Sequence, residues 1–230
     1  MKKVGIIGGI GPASTLDYYK DIIDGYRAIT QNNEYPKIII ESVNMTEMLG
    51  YLSQNLLDEL VSFLLRSINN LAAAGADFAV IASNTPHIVF DEVNSQSQLP
   101  LVSIVDETCK YAQNIGCKRV VVLGTSFTMN SGLYTNAFGR YGIEALVPDI
   151  PNQNIVHNII FPNLENGIVF PEDKKKMLKI ADNIIKIKNA DALVLGCTEL
   201  PMMIKQNDIE TVILNTTQIH IKSIIKNILT

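Results

Sequence analysis

The sequence predicts an α/β protein made of two pseudo-symmetric α/β domains, each with a mostly parallel sheet flanked by helices. Three observations predict it. Apolar runs of strand length alternate with longer amphipathic stretches along the whole chain. One phrase occurs twice: Ala76-Asp77 and Ala190-Asp191 each open an apolar run, and seven residues after the alanine stand Ser83 and Cys197 respectively. Both halves also begin alike, with a strand, a glycine and a polar loop, at Val4 to Gly11 and again at Arg119 to Met129.

In chain order, Val4-Gly5-Ile6-Ile7 reads as a buried strand, and Gly8-Gly9-Ile10-Gly11-Pro12-Ala13-Ser14-Thr15 as a loop opening a helix through Tyr18, Tyr19, Ile22 and Ile23. Glycines there allow close backbone approach to an anion, which a helix N-terminus favours. The run lacks the third glycine of a dinucleotide fingerprint and the lysine of a P-loop. Lys37 to Val43 predicts a second strand, with Asn44-Met45-Thr46-Glu47-Met48 at its carboxyl end. Leu57, Leu60, Val61, Leu64, Leu65, Ile68 and Leu71 recur at helical spacing and stop at Gly75, a natural C-cap. The strand ending at Ser83, a helical piece at Ile88 to Val93, and Leu99 to Ile104 complete the first half.

The second half runs from the Arg119 strand through a helix bearing Tyr134, placed where the first half has Tyr19. A strand at Gly142 to Pro148, a loop and helix at Asn152 to Gly167, and an amphipathic stretch with Met177, Ile180, Ala181, Ile184 and Ile187 follow. The Cys197 strand gives way to a helix start from Glu199, and Thr211 to Leu214 forms the last strand. The final helix, Ile219 to Leu229, is free to swap back onto the first half. The domains so drawn are 1–100 with about 215–230, and 101–214.

Composition narrows the function. A net charge of −4 argues against a nucleic-acid surface. No apolar run approaches the ~18 residues of a membrane span, and the apolar start runs at once into glycines rather than a signal-peptide pattern. Cys109, Cys117 and Cys197 have no metal-ligand spacing, His157 and His220 have no metal-like companions, and reduced thiols fit a cytoplasmic protein. Lys174-Lys175-Lys176, after Glu172-Asp173, reads as a solvated helix start.

Chemistry concentrates at the two repeated junctions. Cys197 falls between a strand and a helix, where exposed N–H groups and the helix dipole stabilise a thiolate; a buried, inert cysteine is the competing reading. Two related halves place the carboxyl ends of both sets of strands at one shared cleft, with side chains at equivalent positions facing a ligand. Two opposed weak acids on either face of a carbon are what racemisation by proton transfer demands.

At specific residues the chain resembles the aspartate/glutamate racemase family, more closely its aspartate racemase branch. The motifs are Gly-Gly-Ile-Gly-Pro-Ala-Ser-Thr at 8–15, Ser-Asn-Thr-Pro-His at 83–87, Leu-Gly-Thr-Ser-Phe-Thr-Met at 123–129 and Gly-Cys-Thr-Glu at 196–199. The resemblance covers essentially the whole chain. It implies two α/β domains with the site between them, cofactor-independent racemisation of aspartate or glutamate, and a homodimer. By position it implies Cys197 as one of two catalytic cysteines and Ser83 at the place of the other. It likewise assigns Asn84, Thr85 and Thr198 to the substrate's α-carboxylate and amino group, with Gly9 and Ile10 lining the same pocket. Asn44 and Asn215 stand where Asp is expected.

Ser83 departs from the pattern. A serine hydroxyl is not a matched carbon base at neutral pH without an activating partner. An engineered trap, a natural variant working chiefly from the Cys197 face, and a one-base enzyme resembling the single-cysteine arylmalonate decarboxylases all fit, as does a protein that binds an acidic amino acid or dicarboxylate without turnover. His87 either orients substrate, polarises Ser83, or serves as a core histidine. Glu199 either assists Cys197 or serves the helix dipole.

Overall fold

The computed structural model describes all 230 residues and divides into two compact units, Met1–Ile104 with His220–Thr230, and Val105–Ile219. In the first, β1 (Val4–Gly8) leads to α1 (Pro12–Thr30), β2 (Ile38–Ser42), α2 (Met45–Ser53), α3 (Leu57–Ala73), β3 (Phe78–Ile81), α4 (Phe90–Gln96) and the two-residue β4 (Leu101–Val102). The sheet is parallel, in the order β2-β1-β3-β4. Its inner strands β1 and β3 are buried throughout, which is why they read as unbroken apolar runs rather than alternating ones. Leu60, Leu64, Ile68 and Leu71 of α3 are buried, and that helix ends at Gly75, whose φ of +84° is the left-handed cap a side chain would strain.

The second unit repeats the plan. The helix α5 (Ile104–Asn114) precedes β5 (Arg119–Leu123), α6 (Ser126–Asn130), α7 (Leu133–Arg140), β6 (Glu144–Leu146), α8 (Ile150–Ile160), α9 (Pro171–Lys188), β7 (Ala192–Leu195), α10 (Leu200–Met203) and β8 (Val212–Asn215). This sheet, also parallel, runs β6-β5-β7-β8. Val156, Ile159 and Ile160 of α8 and Met177, Ile180 and Ile185 of α9 pack on Val121, Leu123, Leu193 and Leu195. The triple lysine lies in the first turns of α9, where Lys174 pairs with Asp208, Lys175 with Glu172 and Lys176 with Asp173.

Chain exchange ties the plan together. The last helix, α11 (Thr216–Leu229), follows β8, yet from His220 onward it belongs to the first unit, where Ile221, Ile224, Ile225 and Ile228 pack with Tyr18, Ile22 and Tyr26 of α1. Its counterpart α5 follows β4 and belongs, from Val105, to the second.

Beyond β2, Asn44 Oδ1 accepts from Thr46 N–H and starts α2. Two local expectations need correction. The strand expected over 142–148 shrinks to three residues. The partner of Tyr134 is Tyr18, not Tyr19. Val4 pairs with Phe78 as Val120 pairs with Ala192, and carrying that register along the next helices sets Tyr18 against Tyr134. Both are buried, whereas Tyr19 is 48% exposed. A tyrosine pair of equal size hides a one-residue slip on a helix; only the sheet register resolves it.

Candidate active site

In the first unit, the loops after β1, β2 and β3 emerge from one edge of a parallel sheet. Val43 N–H donates to Gly8 O and Ala82 N–H to Ile7 O, so Gly9, Asn44 and Ser83 start from adjacent strands. Gly9 has φ +84°, and a Cβ there would sit 2.6 Å from Val43 O. Its N–H does not face an anion: it donates to Thr15 Oγ1 at 2.9 Å, and Thr15 in turn donates to Gly11 O. The glycine run therefore shapes the turn into α1, with Ile10 buried beneath it.

Ser83 and Asn84 are buried at the end of β3, and Thr85 begins a 3₁₀ turn, Thr85–Val89, whose His87 N–H returns to Asn84 O. His87 is buried and stacked on Phe90. Ile104 N–H donates to its Nε2, so the ring proton sits on Nδ1, over the Ser83 and Asn84 carbonyls but without a well-formed hydrogen bond. Burial pushes this imidazole down to about 3. A neutral ring anchored to the start of α5 is a structural strut under the Ser83 loop.

His220 has no catalytic setting either. Its Nε2–H donates to Val102 O at 3.0 Å, which leaves Nδ1 to accept from Tyr18 OH at 2.8 Å. The matching contact in the second unit joins Tyr134 to Thr108 and Thr216. Thr108 and His220 each lie seven residues past register-equivalent strand positions, Leu101 and Ile213.

The second unit carries the thiol. Gly196 N–H donates to Leu123 O, and a Cβ on Gly196 would sit 3.0 Å from that carbonyl, so a side chain here would press β7 away from β5. Cys197 is buried immediately beyond it. Its Sγ–H donates to Glu199 Oε2 at 2.9 Å, and Thr198 Oγ1–H donates to the same oxygen at 2.9 Å. Glu199 is 6% exposed. Burial pushes the Cys197 thiol well above its ordinary value, and the Glu199 charge adds to that. The helix-dipole expectation is overturned: α10 has only four residues, too short to offset a buried carboxylate. Cys197 rests as a thiol with its proton directed at Glu199.

Glu165, in the 3₁₀ turn Leu164–Asn166, was not singled out by sequence. Burial and the Glu199 charge both raise its carboxyl, and its charge in turn acts on Cys197. No motif or spacing marks it, because the turn reaches Cys197 only through tertiary packing. Asn215, the other departure from Asp, caps α11 through Gln218 N–H, as Asn44 caps α2. Cys109 is buried in α5, with its thiol pushed up to about 12 chiefly by burial; Cys117 is also buried, and neither is disulfide-bonded. No group of three or more His, Cys, Asp or Glu side chains is gathered closely enough to hold a metal ion, and no helix is long and apolar enough to cross a membrane.

Comparison with known proteins gives this geometry a family. A model described as Asp/Glu/Hydantoin racemase matches residues 7–224. The chain belongs to that family. It is 28% identical to a putative Asp/Glu racemase from Yersinia pestis, with a TM-score of 0.92 and complete coverage of both chains. It is 33% identical to an aspartate racemase homologue from Pyrococcus horikoshii OT3, at a TM-score of 0.88 and again full coverage. A broad specificity amino-acid racemase from Bacillus subtilis is 24% identical across 98% of each chain. The family assigns the chain to the amino-acid racemases, which are isomerases, and the neighbours share its α/β fold of two four-stranded parallel sheets.

Proposed function

We propose that this racemase works without a cofactor, exchanging the α-proton of an amino acid through Cys197 on one face, with Ser83 at the place of the second thiol. The observation that carries the reading is the Cys197–Glu199 contact at the carboxyl end of β7, mirrored in chain position by Ser83 beyond β3. On the resemblance, Asn84 and Thr85 hold the α-carboxylate, Thr198, whose hydroxyl proton goes to Glu199, offers its oxygen to the amino group, and Gly9 and Ile10 belong to the same pocket. Aspartate and glutamate are the substrates the family resemblance implies. A homodimer in the cytoplasm, with all three cysteines reduced, completes the reading; light scattering on the purified protein tests the dimer.

Mechanistically, Cys197 starts as a proton donor. To act as a base it first gives its proton to Glu199 Oε2, already in hydrogen-bond contact, and the thiolate then takes the α-proton. The resulting carbanion, conjugated with the α-carboxylate, takes a proton on the opposite face from water or from the Ser83 hydroxyl. That face is slow in this chain, which gives exchange biased toward one enantiomer. Incubating both enantiomers in D2O tests this: α-deuteration of one enantiomer faster than the other is expected, and Cys197→Ala abolishes it. Tight binding of an acidic amino acid with no exchange supports instead a non-catalytic binding protein, a reading that Ser83 itself favours.

A further inference from the structure

The charges around the proposed site bear on its substrate. The loops after β1 to β8 at the carboxyl edges of both sheets contain no lysine or arginine: residues 8–19, 38–65, 67–109, 120–139, 141–173, 189–204 and 206–221 have none. Four of the cations that border those segments stand beside carboxylates of their own. Arg66 pairs with Glu47 at 3.7 Å, Arg140 with Asp106 at 3.4 Å, Lys20 with Asp24 at 2.6 Å, and Lys205 lies beside Asp208.

On the reading above, an α-carboxylate needs no cation, since it is assigned to the neutral donors Asn84 and Thr85. A side-chain carboxylate is a different matter. It would enter a partly desolvated region that already holds two anions, Glu199 and Glu165, with no lysine or arginine on the segments that carry them. Glu199 has two donors on one oxygen, whereas no hydrogen bond or ion pair is found for the Glu165 carboxylate. Leu164, beside Glu165 in the same 3₁₀ turn, is buried in one apolar cluster with Cys197 and Leu200, which brings the Glu165 carboxylate near enough to act on both Glu199 and Cys197.

We propose that the side-chain end of this site takes a cationic amino acid, of the lysine or arginine type, in preference to aspartate or glutamate, with Glu165 as the group that meets the positive charge. The inference rests on the racemase reading above. It also gives the substrate a part in readying the thiol. A cation set beside Glu165 and Glu199 offsets the negative field that keeps Cys197 protonated, so the proton leaves the sulfur more easily once the substrate is bound.

The experiment follows α-deuteration by NMR in D2O for L-lysine, L-arginine, L-aspartate and L-glutamate, using the full-length protein. The expected kcat/KM for the basic pair is at least about tenfold that for the acidic pair, since a relieved like-charge contact is commonly worth that much or more. Glu165→Gln should lower the lysine-to-aspartate ratio by about tenfold with an unchanged unfolding midpoint. Faster exchange of aspartate than of lysine overturns the proposal, as does a ratio that Glu165→Gln leaves unmoved. If none of the four exchanges, the racemase reading fails separately, and calorimetric binding decides the side-chain question: lysine tighter than aspartate sustains it, and the reverse order ends it.

Discussion

Cys197 shows how a local rule and a tertiary contact compete. The strand-to-helix junction, legible in Leu195-Gly196-Cys197-Thr198, points to this residue but gives the wrong sign for its protonation. The helix that should stabilise a thiolate is one turn long, and the neighbouring carboxylate is buried with it. Replacing Glu199 by Gln removes a negative charge that raises the thiol, so the Cys197 pKa falls. The iodoacetamide alkylation profile of Cys197→Ala-subtracted protein should then shift to lower pH; an unshifted or upward profile would refute the coupling. At the same time the variant loses its proton acceptor, so its racemisation rate should fall even as its thiol becomes more reactive. A purely structural role for Glu199 does not separate those two readouts. His87 supplies the other residue-scale test. Its native ring resists protonation down to about 3, while the unfolded chain takes up a proton near the ordinary value of 6.5. The unfolded state therefore binds more protons across that window, and stability is lost as pH falls through it, by up to about 1.4 kcal/mol per pH unit. Urea unfolding at pH 7 and pH 5 checks this, with His87→Gln flattening the slope.

Among the elements, the inner strands and long helices were open to reading because each obeys one period: unbroken apolar runs for β1, β3, β5 and β7, and helical spacing for α3 and α9. Short pieces were not. The helix α2 depends on a single Asn44 cap and is not announced by its sequence, and the three residues of β6 carry too little pattern to fix their ends. The exchanged helix α11 is intermediate. Its apolar spacing announces a helix, but that its isoleucines pack with α1, which precedes them by some two hundred residues, is a property of the fold alone. Ile224 is fully buried in that cluster, so Ile224→Ala should cost about 2 to 5 kcal/mol in chemical denaturation. The Tyr18–His220 bond makes a smaller contribution. Tyr18→Phe leaves the buried Nδ1 of His220 without its donor and should cost about 1 to 3 kcal/mol.

At the scale of the molecule, the duplicated plan is what lets sequence speak about chemistry. One phrase, repeated with Ser83 in one copy and Cys197 in the other, directed attention to two positions before any coordinate was known, and each stands just beyond the carboxyl end of its own parallel sheet. Glu165 stayed hidden for the opposite reason: it has no counterpart in the repeat and reaches the thiol only when the 3₁₀ turn Leu164–Asn166 and β7 are folded together. The duplication also sets the most direct test, because it states what is missing. Ser83→Cys restores a titratable thiol in the copy that lacks one. With a responsive substrate in D2O, the account predicts that this variant raises the rate of racemisation by about a hundredfold or more and makes the two enantiomers exchange at comparable rates, while Cys197→Ala on the same background removes both effects. A Ser83→Cys protein that folds normally yet turns over no faster, with its enantiomer bias intact, would contradict the claim that positions 83 and 197 serve the same carbon.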